Sequence, residues 1–252
     1  MMIDKESMLD SAINLELAQP AEAELLYREV LKTDPANLTA HNALERLCSP
    51  HAYSRWMRMN CVIDPRDDIF GFFAAHELAK NPIREYLSDG WRTLSELMQL
   101  LELVDRPLLK TASVLEFAAG FGRFTRHLVK ALPGRVTCSD VLPGSMDFLR
   151  EQFGVETLES SHDPERIVVG KQYELVFVLS MFTHLPPQMW LPWLRSLQRL
   201  VKPDGLLVFS VHNEDIVREG GMAFPEDGVH FIPSSESASL DGKLYGTTFT
   251  TR

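Results

Sequence analysis

From residue 112 onward, short apolar runs alternate with helix-like segments, and this constrains the fold more than any other feature of the chain. Residues 113–117 and 135–140 are two such runs, and residues 155–158 are a weaker third. Residues 173–179 and 205–211 are the fourth and fifth, apolar along most of their length. Helical patterns lie between them. Phe124, Leu128, Val129 and Leu132 share one face before Pro133-Gly134, and residues 146–153 stop at Gly154. Strands that are apolar on both faces have to be covered on both faces. The expectation is an α/β fold with a mostly parallel sheet and helices on either side.

The first 111 residues have a different texture. Residues 1–50 contain no glycine and are rich in Ala, Leu and Glu. Pro20 opens a helix whose face carries Ala23, Tyr27, Val30 and Leu31; Asp34-Pro35 stops it, and Leu38, His41 and Leu44 begin another. An earlier helix is expected over residues 8–19. Ala23, Tyr27 and Pro35 stand at the spacing of a tetratricopeptide repeat, so residues 1–50 resemble one such repeat running into the next. The earlier helix departs from that pattern, with Ser7, Asp10 and Ser11 at its key positions. A single repeat cannot bury its own apolar face, so the segment calls for packing on the rest of the chain, a second copy or another protein. Residues 51–111 read as a helical lead-in with breaks at Asp64-Pro65, Asn81-Pro82 and Ser88-Asp89-Gly90. Leu94, Leu97, Met98, Leu101 and Leu103-Val104 form a helical stripe expected to face a core.

Composition narrows the functional classes. The 252 residues are 45% hydrophobic, enough for a sizeable core, and no run approaches the roughly 18 apolar residues of a membrane span. Lys and Arg number 25 against 35 Asp and Glu, a formal charge of −10 that disfavours phosphate-led nucleic-acid binding. Cys48, Cys61 and Cys138 are widely spaced without a CxxC pair, so neither a disulfide framework nor a metal site is expected. A reducing cytoplasm fits this cysteine usage, and residues 1–6 do not look like a signal peptide.

The chemistry concentrates after the first strand. Gly120 and Gly122 precede a helix, at the end of a strand where open parallel sheets bind ligands. Alone this is weak, because many strand-to-helix turns hold glycine for packing. Asp140 ends the second strand, where a carboxylate accepts hydrogen bonds from ribose hydroxyls. A nicotinamide-type GxGxxG would need glycine at position 125, which is Thr125, and no Lys-Ser/Thr follows to make a P-loop. A negative Glu116 beside the loop would repel a pyrophosphate and attract an ammonium group. The combination points to a cofactor with an adenosine and an amino acid but no phosphates.

The segment VLEFAAGFGRFTRHL resembles the first motif of class I S-adenosylmethionine-dependent methyltransferases. VTCSDV, YELVFVLSMFTHL and LQRLVKPDGLLVFSVH follow in that family's order over about 100 residues. The resemblance implies a Rossmann-like domain over residues 112–252 with S-adenosylmethionine as cofactor. The loop from Glu116 to Gly122 would hold the methionine part, Asp140 the ribose, and Val141 or Leu142 would flank adenine. Ala118 stands where the first glycine usually does, a departure tolerable with a negative φ. At the end of the third strand Glu159, Ser160 and Ser161 are candidates for a polar adenine contact, with Ser160 central. Arg123 is read either as a partner of the cofactor carboxylate or as a solvated helix-start residue. Tyr86 and Gly90 resemble a tyrosine and glycine that line the cofactor upstream of the first motif. Structural alternatives stand beside these: turn glycines only, a capping role for Asp140, and a salt bridge of Glu116 with Arg123.

Methyl transfer asks the protein for alignment and, with hydroxyl or protonated amine acceptors, for a base. His184 and His212, in the loops after the fourth and fifth strands, are the candidates. His184 has loop geometry as its alternative role. Met181, Phe182, Trp190 and Trp193 are read as acceptor-pocket walls or as core. The expected acceptor is a small molecule or sugar-like compound. The rival readings are a non-catalytic protein that recruits a partner, or forms a homo-oligomer, through its N-terminal helices, and a nicotinamide-dependent oxidoreductase, which Thr125 and Glu116 disfavour. The remaining residues carry Gly220-Gly221, Phe224-Pro225 and His230, with strand-like stretches over 228–232 and 244–250. These either pair as a shortened antiparallel edge of the main sheet or mark a chain that stops short of its last strands; the β-rich end favours the second slightly.

Overall fold

The computed structural model describes residues 5–50, 52–76, 79–219, 224–226, 228–234 and 245–251. Gly220, Gly221 and Leu244 lie outside the described residues. The chain forms two compact units that divide between Thr93 and Leu94.

The first unit is helical: α1 (Lys5–Leu15), α2 (Pro20–Thr33), α3 (Leu38–Arg46), α4 (Tyr53–Met57), α5 (Asp68–Ala75) and the first half of α6 (Pro82–Leu103). Pro20 sits in the first turn of α2, where a missing N–H costs nothing. Asn37 caps α3 by accepting a hydrogen bond from the Ala40 amide at 3.0 Å. Ala23, Tyr27 and Val30 meet Ala12, Ala40, Ala43 and Leu44 in a small core, and the alanines allow close approach of the three helices. The Tyr27 hydroxyl donates to Glu16 at 2.6 Å. A second cluster joins Cys61, Ile63, Phe70, Ile83, Tyr86 and Leu87. The first helix runs from Lys5 to Leu15, about three residues earlier than the expected span.

The break expected at Ser88-Asp89-Gly90 does not occur, since α6 continues through it. A helical glycine costs about 1 kcal/mol, and burial of Leu87, Leu94, Leu97 and Leu101 on the helix outweighs that. Leu103 and Val104 are exposed, so the buried stripe ends at Leu101.

The second unit is built on five parallel strands in the order β3-β2-β1-β4-β5: β1 (Val114–Phe117), β2 (Val136–Ser139), β3 (Glu156–Thr157), β4 (Tyr173–Val178) and β5 (Val201–Phe209). Helices α7 (Thr125–Ala131), α8 (Ser145–Phe153) and α9 (Pro187–Gln198) follow β1, β2 and β4. Strand alternation sorts side chains into two cores. Val114, Leu175 and Phe177 pack with Leu94, Leu97, Leu101, Phe124, Leu128 and Leu149. Leu115, Phe117, Val176 and Val178 pack with Phe182, Trp193, Leu197 and Leu200. The α/β expectation holds, and covered faces explain why the strands read as unbroken apolar runs. Strand β5 starts four residues earlier than expected because it bulges: Tyr173 pairs with Val201 and Leu175 with Leu206. Gly205 closes that bulge, where a Cβ would lie 2.8 Å from Val201 and 3.0 Å from the Glu174 carbonyl.

Beyond β5 come β6 (His212–Asn213), α10 (Glu214–Glu219), β7 (Val229–Ile232) and β8 (Thr247–Thr250). The two strand-like stretches do pair antiparallel, as β7 with β8, but they do not edge the main sheet. They form a separate sheet in the order β6-β8-β7. The segment around β8 is held by the loop after β4: the Gly246 and Thr248 amides donate to the His184 and Thr183 carbonyls, each at 2.7 Å. Backbone groups committed there cannot extend the ladder of β5.

Candidate functional site

Strand order reverses between β1 and β4, and a ligand crevice is expected beyond the carboxyl ends at such a switch point. The turn leaving β1 has an unusual backbone. Ala118, Gly120 and Gly122 all have positive φ, at +62°, +56° and +81°. Ala118 thus lacks the negative φ under which alanine would be tolerated there without strain. The turn is wound so tightly that alternate residues are left-handed, and alanine there carries a strain of about 1–2 kcal/mol. Ser180, just past β4, is left-handed as well, with φ +62°, and its amide donates to Ser210 Oγ at 2.7 Å. Backbone strain thus collects on both sides of the switch point.

The two glycines do different work. A Cβ on Gly120 would meet nothing within 4 Å, so bare backbone faces open space. A Cβ on Gly122 would lie 2.6 Å from the Phe153 ring and 2.9 Å from Leu149, because α8 packs directly on the turn. Asp140 ties the turn to the end of β2. Its Oδ2 accepts from the Gly120 amide at 2.7 Å and its Oδ1 from the Leu142 amide at 2.8 Å. Val141, Leu142 and Ser160 are half-buried nearby in sequence to the ends of β2 and β3, and Arg123 is half-buried at the start of the turn into α7.

Glu116 is buried. Its side chain points into the core that holds Cys138, and Oε2 accepts from Thr125 Oγ1 at 2.7 Å. Burial raises its pKa to about 8, against the lowering effect of the Thr125 bond and with Asp140 raising it further. Burial thus favours the neutral carboxyl over the ammonium-attracting charge expected of it, and the hydrogen bond it makes is to Thr125. Cys138 Sγ lies 3.8 Å from Glu116, and burial pushes its thiol up as well.

Two histidines stand on the other side of the crevice. His184, in the loop after β4, has Nδ1 at 2.8 Å from the Gly246 carbonyl. A carbonyl only accepts, so Nδ1 carries a proton and Nε2 of the neutral ring is the acceptor. The His212 ring on β6 lies 6.4 Å from that of His184 and 5.3 Å from Phe249 on β8. Phe182 and Trp193 are fully buried and belong to the core, so they do not wall a pocket; Met181 and Trp190 pack on that core while half-buried. Tyr86 belongs to the first unit, where it is buried and its hydroxyl donates to Asp67 at 2.5 Å. The same helix carries Gly90. Sequence reasoning missed Tyr245, which is buried in the second core with its hydroxyl 2.8 Å from Nδ1 of exposed His162. Its pKa is raised, by burial first and then by the charge of Asp140. No local signal could have found a pair separated by 83 residues. Among the described residues no His, Cys, Asp and Glu cluster could hold a metal, and no helix is long and apolar enough to cross a membrane.

Residues 114–205 match the methyltransferase domain family. That segment runs from the first residue of β1 into β5. A malonyl-[acyl-carrier protein] O-methyltransferase of Acetivibrio thermocellus is 28% identical over 138 residues, 52% of this chain and 44% of the relative. The chain therefore spans less than half the length of that curated relative. Among solved structures, Streptomyces venezuelae DesVI is 15% identical with a TM-score of 0.44, covering 68% of this chain and 64% of DesVI. The DhpI–SAM–HEP complex is 19% identical with a TM-score of 0.41, covering 75% of this chain and 85% of DhpI.

Proposed function

We propose that the chain is a class I S-adenosylmethionine-dependent methyltransferase acting on oxygen or nitrogen of a small-molecule or sugar-like acceptor. The observation that carries this reading is the turn 118–122, which brings bare backbone at Gly120 to open space at the switch point and is tied there to Asp140. The residues fit the cofactor. A Cβ at Gly120 would fill space that a ligand can occupy, and Asp140 is fixed beside it by the Gly120 and Leu142 amides. A carboxylate at the end of the second strand is the group that accepts hydrogen bonds from ribose hydroxyls in such sheets. The turn would hold the methionine part, Val141 and Leu142 would flank adenine, Ser160 would offer a polar contact, and Arg123 would pair with the cofactor carboxylate.

When bound, the cofactor supplies a sulfonium methyl group that a nucleophile displaces in line. The chain's own contribution is alignment, worth several kcal/mol when reacting atoms are held close, together with removal of the acceptor proton. The bond from His184 Nδ1 to Gly246 leaves Nε2 as acceptor, which supports His184 as the base. His212 stands as its neighbour. The O-methyltransferase activity in the relative's name is in keeping with an oxygen acceptor.

Calorimetric titration with S-adenosylhomocysteine, with NAD as control, tests the reading. Binding of the first alone, abolished by Asp140→Ala or Gly120→Val, is expected; absence of S-adenosylhomocysteine binding would overturn it. For the tetratricopeptide-like helices we infer a role in holding a partner or a second copy. Ile13, Leu17 and Leu25 are exposed there and support this. An unchanged mass in solution after deletion of residues 1–50 would count against self-association.

A further inference from the structure

The stretch from Tyr245 to Thr250 is bonded to three segments that follow strands of the main sheet. Tyr245 meets His162 in the crossover between β3 and β4, Gly246 exchanges bonds with His184 in the loop after β4, and Phe249 pairs with His212 on β6. Tyr245 also shares a core cluster with Phe117, the last residue of β1, and Ala118 of the turn packs on that cluster. We propose that Tyr245, steadied by His162, is a nucleoside-contacting residue of the cofactor crevice, so that the C-terminal strand completes the cofactor site.

The inference rests on the S-adenosylmethionine reading of the crevice. Tyr245 belongs to the cluster of Leu115 and Phe117 from β1, against which Ala118 of the turn and Leu158, just past β3, also pack. Burial, and after it the charge of Asp140, the residue read as holding the ribose, raises the pKa of the Tyr245 phenol. A neutral phenol has one donor and two acceptor positions, of which His162 engages one. The remaining capacity suits a group that both donates and accepts, such as a ribose hydroxyl or the edge of adenine. The His162 ring meets the Tyr245 ring edge-on, with centroids 5.8 Å apart, and this fixes the direction of the hydroxyl.

Binding of two probes to the full chain tests this: S-adenosylhomocysteine, and 5′-methylthioadenosine, which keeps the nucleoside and lacks the amino acid. Tyr245→Phe and His162→Ala are each expected to weaken both probes by the same factor, about 3- to 10-fold, the worth of one hydrogen bond. The double variant should lose less than the product of the two single losses. Melting temperatures should stay within about 3 °C of the parent. Unchanged affinity in both variants overturns the inference, and so does a loss confined to S-adenosylhomocysteine. If Tyr245→Phe unsettles the core, His162→Ala at its exposed position decides alone. Failure of the parent chain to bind either probe overturns the cofactor reading itself, and the inference with it.

Discussion

The two sides of the crevice are built on opposite plans. The turn after β1 takes Glu116, Ala118, Gly120, Gly122 and Asp140 from one stretch of sequence, and its shape is a backbone conformation. The far side is assembled from distant pairs: His162 with Tyr245 across 83 residues and His184 with Gly246 across 62. The first plan depends on residue type at each position, because only particular residues accept the angles or the space. The second depends on pairing, and its residue types look ordinary in isolation. Substitutions should therefore act sharply and globally on the turn, and locally on the C-terminal strand.

The largest effect should come from Gly122→Ala. The new Cβ would fall 2.6 Å from Phe153 and 2.9 Å from Leu149, at a φ of +81°. Overpacking and backbone strain together should cost about 3–5 kcal/mol. Gly120→Ala provides the contrast. It has a similar φ but open space around it, so stability should fall by only about 1–2 kcal/mol. Chemical denaturation of both variants checks this. Equal losses would mean that packing against α8 does not distinguish the two glycines.

Gly246→Ala should come next. Its Cβ would lie 2.2 Å from the Ile232 carbonyl and 2.6 Å from the Phe231 ring, so β7 and β8 must part. The cost should be about 2–3 kcal/mol of local opening. Hydrogen exchange should quicken at residues 247–250 while β1 and β4 stay protected. Faster exchange throughout the five-stranded sheet would show that the two sides are one cooperative unit.

This contrast also governs what could be read from the chain. Five strands and their helices were legible because each is a local run with its own punctuation, such as Pro133-Gly134 or Gly154. The meeting of Gly120 with Asp140 was legible because the two lie on consecutive strand ends. The direction of Glu116 was not. Residue type places a carboxyl at the strand end, but strand alternation turns it toward Cys138 and Thr125, where desolvation decides its charge. The left-handed Ala118 escaped notice because alanine does not advertise the angle that glycine would. The helix through Gly90 was hidden because burial of leucines on either side overrides the local signal. The placement of β8 depends on hydrogen bonds to a loop 62 residues away, and no pattern in residues 245–250 records them.

A smaller effect, per unit of pH, belongs to Glu116. Its folded pKa is raised from 4.5 to about 8, so the native state binds more protons than the unfolded chain between those values. Stability from this group is fully present below the unfolded pKa and is lost as pH rises through the folded one. The slope should reach about 1 kcal/mol per pH unit within that window. Glu116→Gln keeps an oxygen to accept from Thr125 and removes the titration, so its stability should be flatter between pH 5 and about 8. The carboxyls of Glu16, Asp64, Glu156 and Glu174 have lowered values and act with the opposite sign at more acid pH. Denaturation at a series of pH values checks this. Parallel curves for parent and variant would mean that Glu116 is charged in the native turn.

The smallest effect tests the turn most directly. Ala118 at φ +62° is the one residue of the three left-handed positions that carries a Cβ. Replacing it with glycine removes a strain of about 1–2 kcal/mol but adds freedom to the unfolded chain worth about 0.4–1 kcal/mol. Ala118→Gly should therefore stabilise slightly, by about 0.5 kcal/mol, where glycine elsewhere destabilises. The sign matters more than the size. A loss of 1 kcal/mol or more, roughly, would mean that the methyl group of Ala118, packed on the core of Leu115 and Phe117, offsets its strain. The turn would then be held by side-chain burial, as the C-terminal strand is, and the contrast between the two sides of the crevice would narrow.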